Sequence, residues 1–214
     1  MFVVTADQHA STAHGDKVAD LLDALAAWGD RPPARGAVAL PLERTVGDEV
    51  QTVLTTAEAA LDLALHLMRL GEWAVGIGAG PVNEPLAATS RASSGPAFVH
   101  ARNAVERARG RGVPAPVVVA GEDAEAAGQA TALVQLLASV VRRRSAAGWE
   151  VADLLEPGVR QKDVAARLGI SEQAVSQRVR SALLEEEMGV RPLAAAVIER
   201  AAGAATGEDE GSAT

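Results

Sequence analysis

The chain of 214 residues contains no cysteine. Disulfides, thiolate nucleophiles and cysteine metal sites are therefore excluded, and the composition fits a reducing cytoplasm. No run of about 18 apolar residues is present, so no membrane insertion is expected. The segment Met1–Asp7 lacks the basic and long apolar regions of a signal peptide. Lysine is scarce, two against 18 arginines, which with abundant alanine suggests a GC-rich bacterial coding sequence. Positive charge is in deficit, with 20 Lys+Arg against 28 Asp+Glu and a net −8. That total argues at first against a nucleic-acid partner, but it says nothing about how charge is distributed. Hydrophobic residues are plentiful, at 48%, enough for a sizeable core.

The first 122 residues alternate strand-like and helix-like patterns. Met1–Thr5 reads as a strand ending at Ala6-Asp7. Lys17–Trp28 repeats apolar residues at helical spacing. Ala37–Val46 and Glu49–Thr55 read as extended runs around the hairpin signal Gly47-Asp48, with Pro41 marking an edge or bulge. Thr56–Leu70 predicts an amphipathic helix capped by Thr56 and ended by Gly71. Glu72–Ile77 predicts a strand, Ala97–Arg109 a helix and Val117–Val119 a short strand. This order predicts an α+β domain over 1–122, with a ferredoxin-like or palm-type sheet and helices on one face. Residues 123–202 read as all helical, with helices at Ala124–Arg144, Trp149–Leu155 and Pro192 to about Ala202. The small, acidic residues 203–214 predict a disordered tail.

The sharpest motif lies at Gln161–Arg180. Val164, Ala165 and Leu168 share one helix face, Gly169 supplies a turn, Ile170 plugs the gap and Ser171 caps a second helix. Val175 and Val179 turn inward from that helix. The spacing predicts a helix-turn-helix whose recognition helix spans Ser171–Leu183. Gln173, Ser176, Gln177 and Arg180 form its outer face, and Gln and Arg side chains suit adenine and guanine edges. Lys162, Ser171 and Arg178 are candidate phosphate contacts. Between Arg142 and Ala182 stand eight basic and five acidic residues. The local balance is +3, which leaves −11 for the rest of the chain, and phosphate neutralisation needs only the local excess. The helix-turn-helix resembles that of sigma-factor region 4 and related bacterial regulators.

Three N-terminal segments carry chemistry: Thr5-Ala6-Asp7, Val46-Gly47-Asp48-Glu49, and Gly76-Ile77-Gly78-Ala79-Gly80-Pro81 with Gly95-Pro96-Ala97. A palm-type sheet would set Asp7 beside the hairpin carrying Asp48 and Glu49, where carboxylates could share Mg²⁺ with a nucleotide's phosphates. Their order is similar to class III nucleotidyl cyclases, and Val46–Val50 also resembles the diguanylate cyclase hairpin. Fused to a helix-turn-helix, the arrangement resembles the SatD family over most of residues 1–190. That resemblance implies a metal site at Asp7, Asp48 and Glu49, a nucleotide ligand and a homodimer. The chain departs from the cyclase pattern where an Asn and an Arg would stabilise the transition state, because those positions hold Val99 and Asn103. Arg102 lies one position away, about 100° around the helix. The histidines show no ligand spacing, and Ser11 has no evident His/Asp partners for a hydrolase triad.

The sequence therefore predicts a cytoplasmic, homodimeric DNA-binding regulator with a degenerate cyclase-like domain. A Mg²⁺-dependent nucleotidyl cyclase is the competing reading. A third is an interaction protein whose helical hairpin binds another protein.

Overall fold

The computed structural model describes residues 1–9, 15–155 and 158–203. Ser11, Thr12, His14, Glu156, Pro157 and the tail from residue 204 lie outside the described residues. The chain is α+β. Among the described residues it has five strands: β1 (Phe2–Gln8), β2 (Val38–Arg44), β3 (Glu49–Leu54), β4 (Trp73–Ala79) and β5 (Val117–Ala120). Its helices are α1 (Val18–Ala24), α2 (Ala57–Leu70), α3 (Pro96–Ala108), α4 (Ala124–Arg143), α5 (Ala146–Ala152), α6 (Gln161–Leu168), α7 (Glu172–Ser181) and α8 (Leu184–Ala201).

The strands form one sheet in the order β2-β3-β1-β4-β5. Every neighbouring pair is antiparallel except β4 and β5, which are parallel. The hairpin signal at Gly47-Asp48 joins β2 to β3, and Gly47 takes φ 61° in the turn. Pro41 sits on the edge strand β2, where the register shifts twice along β3. A proline removes a ladder donor, so an edge strand with broken register is where it fits. Helix α2 begins at its Thr56 cap, whose hydroxyl accepts from the Ala59 amide, and ends at Gly71 with φ 80°.

Strand register divides the sheet into two faces. Phe2, Val4, Ala6, Leu54, Val75 and Ile77 point to one, which α1, α2, α4 and α8 cover. Val3, Val53, Ala74 and Val118 point to the other, where α3 packs through Ala97, Ala101, Ala104 and Val105. Helices on one face alone were expected, so α3 is a correction. Its physical reason lies in β4. A Cβ on Gly76 would fall 2.3 Å from the Val105 nitrogen, and one on Gly78 would fall 2.1 Å from the Ala97 carbonyl. Two side-chain-free positions let the α3 backbone lie directly on the strand.

A division after residue 122 does not separate two cores. Helix α4 and the distal half of α8 complete the core against the sheet. By length and mean hydropathy (1.2) α4 could cross a bilayer, yet its apolar face is committed to β5, α2 and α8. A second, smaller core contains Val151, Val164, Ala165, Val175, Val179, Ala182 and Leu184, from α5 to the start of α8. The expected helix over Trp149–Leu155 lies earlier, at Ala146–Ala152, because Ser145 caps it by accepting from the Gly148 amide. The final helix also starts earlier, at Leu184, and carries Pro192 in its interior. Pro192 and Met188, whose carbonyl loses its donor, are both on the exposed side, so water can take the freed acceptor.

Candidate nucleic-acid interface

Helices α6 and α7 form a hairpin around the second core. Gly169 ends α6 in the left-handed region, with φ 66°. Ser171 caps α7, its hydroxyl accepting from the Ala174 amide at 3.1 Å. Val164, Ala165, Leu168, Ile170, Val175 and Val179 all join this one cluster. The hairpin thus has its own apolar reason to form, and α7 is free to present its opposite side.

Gln173, Gln177 and Arg180 are exposed on that side, and Ser176 is half-buried beside them. At about 100° per residue, Gln173, Gln177 and Arg180 fall within an arc of roughly 60°, nearly opposite Val175 and Val179. The Arg180 guanidinium donates to the Ser176 hydroxyl at 2.8 Å, which holds it along the helix. Arg178 is placed differently. It points to α5 and donates to Glu150 at 2.7 Å, so this guanidinium already has a carboxylate partner. Lys162 is exposed on α6, and Ser171 is exposed at the start of α7.

Ion pairing redistributes the local charge. Arg160 is paired with Asp163, Arg178 with Glu150, and Arg144 is buried against Glu187. Asp153 is taken by Arg69 of α2. Among the described residues, Arg142, Arg143, Lys162, Arg167 and Arg180 have no carboxylate within ion-pair distance, against Glu172 as the one acidic residue of this region in the same condition. Arg142, Arg143 and Arg167 were visible in the charge count but not assigned a contact. Their exposure, which depends on packing, is what distinguishes them from Arg144.

The carboxylates of the α+β half are brought close together. Asp7 and Glu49 face each other across β1 and β3, and the Gln8 amide donates to the Asp48 carbonyl at 3.4 Å. Asp7 is buried, and Arg109 reaches it at 3.3 Å. Burial pushes the Asp7 carboxyl above its ordinary value, Arg109 pulls it back, and Asp48 and Glu49 push it up again. Arg109 holds one oxygen of the Asp7 carboxylate, Oδ2, and competes with a cation for it. No group of three or more His, Asp or Glu side chains placed to hold a metal occurs among the described residues. Val99, Arg102 and Asn103 are exposed on α3.

Sequence reasoning missed the polar seam between the two cores. Asp62 of α2 accepts from the Trp28 indole at 2.9 Å and from Arg191 of α8 at 2.7 Å. Arg191 and Arg144 both donate to the buried Glu187. The guanidinium carbons of Arg69 and Arg144 lie 3.9 and 4.4 Å from the Trp149 ring centre. These partners are up to 129 residues apart, so no local spacing signals them. No family model, curated protein or solved structure matches the chain.

Proposed function

We propose that the chain is a cytoplasmic DNA-binding regulator whose α7 enters the major groove. The observation that carries this reading is the exposed stripe Gln173, Gln177 and Arg180 on a helix whose other side is held by a separate core. Gln and Arg offer bidentate hydrogen bonding to adenine and guanine edges. Ser176 flanks the stripe. Lys162, Ser171 and Arg142, Arg143 and Arg167, which have no carboxylate partner among the described residues, supply phosphate contacts, and Arg178 does so only by leaving Glu150. One short recognition helix reads few bases, so a homodimer on two half-sites completes the reading. The antiparallel order β2-β3-β1-β4 supports a ferredoxin-like, palm-type arrangement for the sheet. The SatD resemblance points the same way. In this reading the palm-like half is a ligand or dimerisation module. The Mg²⁺-nucleotide alternative rests on Asp7, Asp48 and Glu49, and the Arg109 contact to Asp7 disfavours it.

The test is an anisotropy titration of the full chain against mixed-sequence duplex DNA across a salt series. With four to five phosphate contacts per protomer, log K should fall with log[salt] at a slope of about −4 per protomer. Lys162→Ala should lower that slope by about 1 and leave sequence preference unchanged. Gln177→Ala should instead relax preference at one position by about 1–3 kcal/mol. Absence of duplex binding at low salt would overturn the reading.

A further inference from the structure

The second core docks on α2 and α8 across a cleft of about 400 Å³, lined by Leu65, Trp149, Leu155 and Met188 with Arg69 and Arg144 among its cations. This volume lies within the range that holds small organic ligands. The cations around it are not equivalent. The Arg144 side chain is 2% exposed and is spent on Glu187 and the Ala182 carbonyl. Arg191 is spent on Asp62 and Glu187. Arg69 has one polar partner among the described residues, Asp153, which accepts both arms of its fork at 2.6 and 2.8 Å. That pair is open to water, with 33% and 49% of the two side chains exposed. Exposed pairs of this kind contribute little to stability. The Trp149 ring lies 3.9 Å from the Arg69 guanidinium carbon and supports the group while its fork serves a carboxylate.

We propose that this cleft is a binding site for a small monocarboxylic acid with an apolar body. The ligand's carboxylate takes the place of Asp153 on Arg69, and its body lies against Trp149, Leu155 and Met188. The fork then keeps two charge-assisted hydrogen bonds, and apolar surface that now faces the cleft is covered. An amide cannot substitute, because its NH₂ group would oppose a donor. Arg69 belongs to α2, while Asp153 directly follows α5. Occupancy therefore removes a strut between the sheet and the unit carrying α7. Resting on the DNA-binding reading, this makes the ligand an effector that alters half-site geometry.

The site is tested on the full chain without DNA, by calorimetry and saturation-transfer NMR. The probes are phenylacetate, hexanoate, phenylacetamide and inorganic phosphate. Phenylacetate and hexanoate should bind, phenylacetamide should not, and phosphate should be weaker than either because it fills none of the apolar cleft. Asp153→Asn, which removes the internal competitor, should tighten phenylacetate three- to tenfold. Arg69→Lys should weaken it at least tenfold, with the circular dichroism spectrum unchanged. Equal binding of the acid and the amide would overturn the site, as would an Asp153→Asn affinity equal to wild type. Failure of either acid to saturate wild type and Asp153→Asn at 10 mM would do the same. Because these arms contain no DNA, their failure is distinct from failure to bind a duplex. Loss of duplex binding with retained phenylacetate binding would leave the site standing and remove only its regulatory meaning.

Discussion

Single residues settle two properties of this chain. The first is the seat of α3 on β4. Gly78→Ala would place a methyl group inside the α3 backbone, and neither strand nor helix can yield by that distance. Thermal unfolding should show a loss of about 3–5 kcal/mol, in the range of severe overpacking and backbone strain. Gly47→Ala offers the contrast, since space there is open and only its positive φ resists. The second is the charge on Asp62. Burial pushes its carboxyl up, but hydrogen bonds from His66, Trp28 and Arg191 outweigh this and hold it at about 2. His66 is raised in turn by its bond to Asp62, against burial and the nearby Arg191. The two signs differ. The Asp62 contribution, about 2 kcal/mol, is present above the ordinary carboxylate range and is lost as pH falls toward 2. The His66 contribution is full below its ordinary value of 6.5 and fades as pH rises through the raised one. Urea melts should therefore show greatest stability between about pH 4 and 6.5 from this cluster, and His66→Gln should flatten the neutral limb and also shrink the acid limb, because His66 is the strongest of the influences that lower Asp62.

The elements separate what local spacing can show from what it cannot. Helix α2 was legible from its Thr56 and Gly71 caps, and the α6–α7 hairpin from Val164, Ala165, Gly169, Val175 and Val179, because each signal lies within one or two turns. The start of α8 was not. Pro192 reads as a helix boundary, yet the helix runs through it because the proline faces solvent and Glu187, one turn earlier, is anchored by Arg144 and Arg191. The seat formed by Gly76 and Gly78 was illegible for the same reason, since the face that α3 chooses is set by a distant pairing. Arg178 and Arg180 show how this bears on function. They are two residues apart in sequence, but one is held by Glu150 and the other is presented outward. On the proposed DNA-binding reading, Arg180→Ala should weaken duplex binding and relax preference at one base position by about 1–3 kcal/mol, with a smaller change in the salt slope than Lys162→Ala. Arg178→Ala should leave the slope nearly unchanged and cost under about 1 kcal/mol of stability.

At the scale of the whole molecule, the two cores are joined by alternating charge rather than by a linker. Arg144, Glu187, Arg191 and Asp62 connect the end of α4 with α8 and α2 in one run of ion pairs, of which only Arg191 is partly exposed. Glu187→Gln leaves the buried Arg144 without a carboxylate and Arg191 with Asp62 alone, and losses of about 3–5 kcal/mol are typical for half of a buried pair. Differential scanning calorimetry should then resolve two transitions, the small helical unit of the second core melting first. The sheet carries a second global signature. β3, β4 and β5 run in one direction and succeed one another across the sheet, yet α2 and α3 lie on opposite faces. The crossovers β3–α2–β4 and β4–α3–β5 therefore have opposite hands, although parallel crossovers are right-handed in nearly all cases.

The position of α8 against the sheet carries one more consequence. Its distal half touches the chain where β5 gives way to α4: the Asp123 amide donates to the Ala201 carbonyl at 3.2 Å, and a Cβ on Gly121 would lie 2.1 Å from that same oxygen. In chain order, the small helical unit of the second core is thus an insertion between two helices of the larger core. During synthesis the sheet is finished by residue 120, but one of its apolar faces waits for some 80 further residues before its last cover arrives. The inserted unit, with its own core, can fold first, so the domain begun earliest is closed last.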